Sequence, residues 1–173
     1  TVVLLWPNLP SLEVLTDYRP KIPLRIYSAE NELIGEYGEE KRAVVKIKDV
    51  PQVMKAAILA AEDDRFYQHG GVDYTGVVRA AAANLQGRRE GASTITMQVA
   101  RTFFLTREKT FARKLSEVLL AFKIEANLTK DQILELYINQ IFLGQRAYGF
   151  GSAANVYFGK SLQELTPAEA ALL

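Results

Sequence analysis

The sequence predicts a mainly α-helical protein with a small β-containing arm at its N-terminal end. Three observations carry this. From Asp49 onward apolar residues recur at helical spacing, most of those stretches are introduced by a residue that caps helices, and strand-like patterning is confined to residues 24–47. The 173 residues, 49% hydrophobic and 24% charged, suit a folded domain large enough to bury a core without disulfide or metal staples.

Residues 1–23 carry Pro7, Pro10, Pro20 and Pro23 and read as an extended arm. Its first six residues, TVVLLW, suit either a buried strand or the end of a preceding transmembrane anchor, and both readings stay open. Residues 24–48 place Ile26, Leu33, Ile34, Tyr37, Val44 and Val45 around the polar turn Ser28–Asn31, as a hairpin or short strands would. Residues 49–173 form the helical domain. Asp49 is expected to cap a first helix with Pro51 in its first turn. Asp73 opens a second, with Val77, Val78, Ala81 and Leu85 on one face, and a third follows Ser93 through Ile95, Val99 and Phe103. Thr110 opens a fourth, striped by Phe111, Leu115, Val118, Leu119 and Phe122. Thr129 and Gln132 make a capping box for a fifth, stopped near Gly144. A short helix around Ala153–Tyr157 ends at Gly159, and boxes at Ser161/Glu164 and Thr166/Glu169 follow. The helix begun at Thr166-Pro167 is expected to continue beyond Leu173, so that the domain is truncated at its C-terminal end.

Composition narrows the chemistry. Without cysteine there is no disulfide framework, Cys-ligated zinc or thiol catalysis. Twenty-one Lys and Arg against 20 Asp and Glu give a formal charge of +1, which argues against a nucleic-acid partner held through its phosphates. No stretch reaches the roughly 18 apolar residues that a membrane span needs.

Three groupings are unusual. Glu62-Asp63-Asp64 follows the apolar helix AAILAA, against the negative end of its dipole, and precedes Phe66, the lone His69 and Gly70-Gly71. A carboxylate emerging there suits a general base or acid, although a solvated loop start paired with Arg65 explains the acids equally simply. Glu117 faces away from the Phe111/Leu115/Phe122 stripe, yet Leu120, Ala121 and Ile124 share its side. A helix apolar nearly all round is central, so Glu117 with Arg113 and Lys114 reads as an ion-paired group lining a cleft rather than a surface pair. Finally, Ser93, Thr94, Thr96 and Gln98 sit near a helix start and are followed by Arg101, Arg107, Lys109, Arg113 and Lys114. Hydroxyls and helix-start amides with several cations suit a phosphate or diphosphate. Phe103, Phe104, Leu105 and Phe111, interleaved with those cations, suit core or a membrane interface.

Five motifs in order give the chain a family resemblance. Glu62-Asp63-x-x-Phe66-x-x-His69-x-Gly71 resembles the first signature of the family 51 glycosyltransferases, the peptidoglycan polymerases. Gly91-Ala92-Ser93-Thr94-Ile95-Thr96-x-Gln98 resembles the second and Arg113-Lys114-x-x-Glu117 the third. Ile133-Leu134-Glu135-x-Tyr137-x-Asn139 and Gly149-x-Gly151-x-Ala153-Ala154-x-x-Tyr157-Phe158-Gly159-Lys160 are similar to the fourth motif and the block after it. The departures are Ala92 and Met97, where many members have Gly and Gln, Arg101 for a usual Lys, and Lys109 for a usual Arg. The last two keep charge but change the hydrogen-bonding fork.

The resemblance implies a lysozyme-like helical fold at the outer, periplasmic face of the bacterial cytoplasmic membrane, acting on lipid II and the growing glycan strand, with other cell-wall synthesis proteins as candidate partners. It implies Glu62 as general base and Glu117 as the second catalytic carboxylate. Asp63, Phe66, His69, Ser93, Thr94, Gln98, Arg101, Lys109, Arg113 and Lys114 are implied as substrate-binding or as shaping the site, Asp63 and His69 through the loop around Glu62. A divalent cation, Mg or Mn, is an implied candidate cofactor, with Glu62, Asp63 and Glu117 as candidate ligands. PLRIYSAENELIGEYG resembles the class A penicillin-binding type, whose transpeptidase would lie outside these residues, since no Ser-x-x-Lys or Lys-Thr-Gly occurs here. Alternatives are a monofunctional polymerase, a lysozyme-like lytic transglycosylase or muramidase, and an inactive docking module.

Overall fold

The computed structural model describes residues 9–17, 23–88, 91–105 and 110–173. These form two compact units. One comprises the described residues up to Thr16 with Ile58–Tyr137, and the other Asp17–Ala57, as far as described, with Ile138–Leu173. The mainly helical architecture with a small β arm is as expected.

In the second unit, β1 (Leu24–Tyr27) and β2 (Leu33–Tyr37) pair antiparallel, Leu24 opposite Tyr37 and Tyr27 opposite Leu33, with an irregularity after Ile26. This is the expected hairpin. Its turn closes through Ser28, whose N–H donates to Glu32 O at 2.8 Å and whose hydroxyl accepts from Glu30 and Glu32 N–H. β3 (Lys41–Arg42) pairs in parallel with β4 (Ala147–Tyr148), a contact two residues long that leaves no alternation to read.

Helix α2 (Gln52–Glu62) starts after Pro51 rather than at Asp49. Asp49 closes a 3-10 turn, Ile47–Asp49, and it is the Pro51 carbonyl that accepts from Met54 and Lys55 N–H. Helix α6 (Lys130–Gln140) begins at the expected Thr129/Gln132 box and ends four residues before Gly144. Its last acceptors are claimed from elsewhere in the chain. Arg42 donates to Asn139 O and Gln140 Oε1, and Gly149 N–H donates to Ile141 O. Helix α7 (Phe150–Phe158) is longer than the expected Ala153–Tyr157 because it starts at Gly149, at φ +84°. A Cβ there would lie 2.9 Å from both the Ile138 and Asn139 carbonyls, so only glycine fits. Gly159 ends α7 in the left-handed conformation, and helix α8 (Pro167–Leu172) carries the expected Thr166/Glu169 box.

The first unit corrects the extended arm. Glu13–Thr16 form one turn of helix, α1, with Leu15 buried. Helix α3 (Tyr74–Leu85) follows Asp73 as expected, but its predicted core face is reversed. Gly76 and Ala80 are buried, while Val77, Val78, Ala81 and Leu85 are exposed, Leu85 at 90%. Small residues permit close packing on their own side and leave the larger apolar ones outside. Helix α4 (Ile95–Phe104) packs against α5 (Phe111–Glu125). Thr94 caps α4, accepting from Met97 N–H, and Thr110 caps α5, accepting from Arg113 N–H. Val72, Met97 and Ala121 form a buried cluster flanked by Val118 and Phe122. On α5 the deepest residues are Leu120, Ala121 and Ile124, the side shared with Glu117, while Phe111 of the predicted stripe is 86% exposed.

Candidate active site

Glu62 ends α2, exposed, and Gln98 Nε2 of α4 donates to its Oε2 at 2.7 Å. The next residue turns inward. Asp63 is buried, accepts the Ile95 N–H at 3.0 Å, and has its two oxygens 2.9 and 3.0 Å from His69 Nε2. One carboxylate therefore faces solvent, and its neighbour pins the loop to the first turn of the helix that supplies Gln98. The same loop is held at Gly71. Thr94 Oγ1 donates to the Gly71 carbonyl at 2.6 Å, and a Cβ on Gly71 (φ +86°) would lie 3.1 Å from the Ala121 backbone.

The second carboxylate is fully paired. Glu117, 1% exposed, accepts from Arg113 through Oε1 and from Lys114 Nζ through Oε2 at 2.9 Å. Lys114 Nζ also donates to Ser93 Oγ at 2.7 Å, joining α5 to the segment ahead of α4. Burial, together with the nearby positive charges of Arg101 and Arg113, holds the Lys114 ammonium below the ordinary lysine pKa. Tyr137 of α6 is buried, and its phenol is pushed up by that burial and by the negative charge of Glu62, against an opposing pull from Arg101.

A cleft of 690 Å³ brings the exposed groups together. Glu62, Ser93, Gln98 and Arg101 line it, with Arg79 of α3. Three acidic residues, Glu62, Asp63 and Asp64, and two guanidiniums thus share one open groove, with Lys114 joined to it through Ser93.

A family model described as Transglycosylase matches residues 30–173. The chain belongs to the transglycosylase family. Relatives in it include penicillin-binding protein 1A of Neisseria gonorrhoeae, 59% identical over 99% of this chain and 22% of that protein. Penicillin-binding protein 1A of Escherichia coli K12 is 53% identical over 96% and 20%. The solved structure of penicillin-binding protein 1A from Haemophilus influenzae is 31% identical, covering 89% of this chain and 14% of that one, with TM-score 0.41. The chain spans about a fifth of the length of the curated relatives it matches. The family resemblance read from the five motifs is borne out.

Within this family member, Glu62, Ser93, Gln98 and Arg101 meet at the cleft, and Arg113, Lys114 and Glu117 form one ion-paired cluster. Three of the expected site residues have side chains engaged within the protein. Phe66 is 0% exposed, under the Lys130 ammonium at 4.3 Å. Thr94 bonds within its cap and to Gly71, and Asp63, which also lines the cleft, bonds to Ile95 and His69. His69 acts through Asp63. Lys109 lies outside the described residues. Arg79 was not singled out in the sequence, since a lone arginine on an Ala-rich helix reads as a solvated residue.

The candidate cation ligands do not assemble into one set. Asp63 and Glu117 have both oxygens engaged by other groups, and no metal-binding group of three His, Cys, Asp or Glu occurs among the described residues. No step is therefore routed through a metal.

Proposed function

We propose that this domain is a peptidoglycan glycosyltransferase that polymerises lipid II into β-1,4-linked glycan strands. The observation that carries this reading is the shared cleft, in which the Glu62 carboxylate, oriented by Gln98, opens onto the same groove as Arg101 and Arg79. Glu62 takes the proton from the acceptor's 4-hydroxyl. That oxygen attacks C1 of the donor sugar with inversion, and the C1–oxygen bond breaks, its electron pair leaving with undecaprenyl diphosphate. A diphosphate leaves readily where fixed cations meet its growing charge, and Arg101, Lys114 and Arg113 supply them. Glu117 holds the last two in place. Ser93 and Gln98 offer a hydroxyl and an amide to sugar or phosphate oxygens.

A lytic transglycosylase or muramidase also works from one glutamate, but its leaving group is a sugar and it has no use for a diphosphate cradle. The exposed apolar stripe of α3 and the exposed Phe111 support a site beside lipid, at the outer face of the cytoplasmic membrane, where the substrate's tail resides. The relatives' names support placing the domain within a larger penicillin-binding protein, and the resemblance of PLRIYSAENELIGEYG to the class A type implies a transpeptidase outside these residues.

The test is lipid II polymerisation by Glu62→Gln. Loss of chain growth with lipid II binding retained is expected. Near wild-type polymerisation would remove Glu62 from the mechanism, and cleavage of finished glycan strands by the wild type would favour the lytic alternative.

A further inference from the structure

We propose that Glu125, the last residue of α5, is a positioning residue that sets the angle of α4 and through it the contact between Gln98 and Glu62. This deepens the transferase reading of the cleft and rests on it. The Glu125 side chain is 12% exposed, and its Oε1 accepts two hydrogen bonds, from Thr96 Oγ1 at 2.6 Å and from Lys130 Nζ at 2.7 Å. Thr96 is the second residue of α4 and fully buried, and Lys130 is the first residue of α6. One carboxylate oxygen thus gathers the start of α4, the end of α5 and the start of α6. Hydrogen bonds to an ionised acceptor in so buried a place are stronger than neutral ones.

The same group bears on the turn that follows Glu62. The Lys130 ammonium that reaches Glu125 also covers the Phe66 ring, and Phe66 meets the His69 ring edge to face, with centroids 6.2 Å apart. A Cβ on Gly71 would lie 3.3 Å from Glu125 Cγ, so the stem of Glu125 runs beside the end of that turn. Helix α4 is therefore held at two successive residues, Ile95 by Asp63 and Thr96 by Glu125. Residues two apart on an α-helix lie about 200° from each other around the axis, so Thr96 is anchored on the side of α4 away from Gln98. A helix with its side chains is about 10–12 Å across, so releasing that anchor and letting α4 turn by about 10° moves the Gln98 amide by about 1 Å. A misplacement of that size is enough to slow turnover by about ten- to a hundredfold.

The experiment compares Thr96→Val, which keeps the shape and removes the donor, with Thr96→Ser, which keeps the donor and removes a buried methyl group. It reads turnover and KM in lipid II polymerisation, the urea midpoint, and the Gln98 side-chain amide signals by NMR. Thr96→Val is expected to lower turnover by about tenfold or more with KM little changed, and to shift the Gln98 signals. Thr96→Ser is expected to keep wild-type turnover and signals although its urea midpoint falls. Glu125→Gln is expected to follow Thr96→Val. Turnover that simply tracks the urea midpoint across the variants overturns the proposal, as do unmoved Gln98 signals in Thr96→Val. The amide signals do not require polymerisation, so a wild-type protein that left lipid II unpolymerised would defeat the transferase reading while the signals still decided whether Glu125 places Gln98.

Discussion

Gln98 Nε2 donates to Glu62 Oε2 at 2.7 Å, tying the C-terminal end of α2 to the second turn of α4. The bond fixes one carboxylate oxygen, and in the proposed function the other serves the substrate. Gln98→Ala is expected to lower polymerisation turnover by about ten- to a hundredfold with little change in KM, because misplacing a reacting group by an ångström costs that much. Gln98→Glu is expected to be worse, since it sets two carboxylates side by side. Steady-state kinetics on lipid II distinguishes these outcomes from a spectator role, in which both variants turn over normally.

Glu117 is a buried anion between two cations. Truncation to Ala leaves Arg113 and Lys114 facing each other without it, at an expected stability loss of about 3–5 kcal/mol. Urea unfolding of Glu117→Ala measures this. A loss below about 1 kcal/mol, the range of exposed pairs, would mean that the pair is solvent-screened.

The lowered pKa of Lys114 gives a pH dependence with a definite sign. A lysine whose folded pKa lies below its unfolded value of 10.5 binds fewer protons when folded. Its charge therefore opposes folding at pH values below the folded pKa, and the penalty is relieved as pH rises through it. A diphosphate bound beside Arg101 and Lys114 reverses the balance by stabilising the charged form. Affinity for inorganic diphosphate is thus expected to fall as pH rises through the lowered pKa, and Lys114→Arg is expected to carry binding to higher pH. Calorimetric titrations over a pH series would show superimposable profiles if Lys114 played no part.

Thr94 makes two connections with one hydroxyl, capping α4 and holding the loop at Gly71. Thr94→Ala is expected to cost about 1–2 kcal/mol, and Thr94→Ser much less, by the denaturant midpoint. Equal losses in the two would point to the methyl group rather than the hydroxyl.

Most helices were legible because their caps are local. Thr110, Thr129 and Thr166 announce their helices with side chains that bond within three residues. What escaped depended on distant partners. Gly149 starts α7 without a capping side chain, and Arg42 helps end α6 from nearly a hundred residues away. In the site, the burial of Glu117 followed from the apolar ring around it, whereas Phe66 and Thr94 share motifs with the cleft residues yet face inward. Motif membership does not tell which side of the backbone meets the ligand. The α3 stripe failed for a related reason: periodicity finds an apolar face but not whether protein covers it.

Gly71 has a mechanical consequence. With its backbone seated against Ala121, the turn that follows Glu62 and the helix that bears the lysine–glutamate pair have no clearance to slide past one another. In the proposed function proton acceptor and charge acceptor are then carried on one frame, so an inhibitor that wedged this seam apart is expected to disarm both at once without touching either.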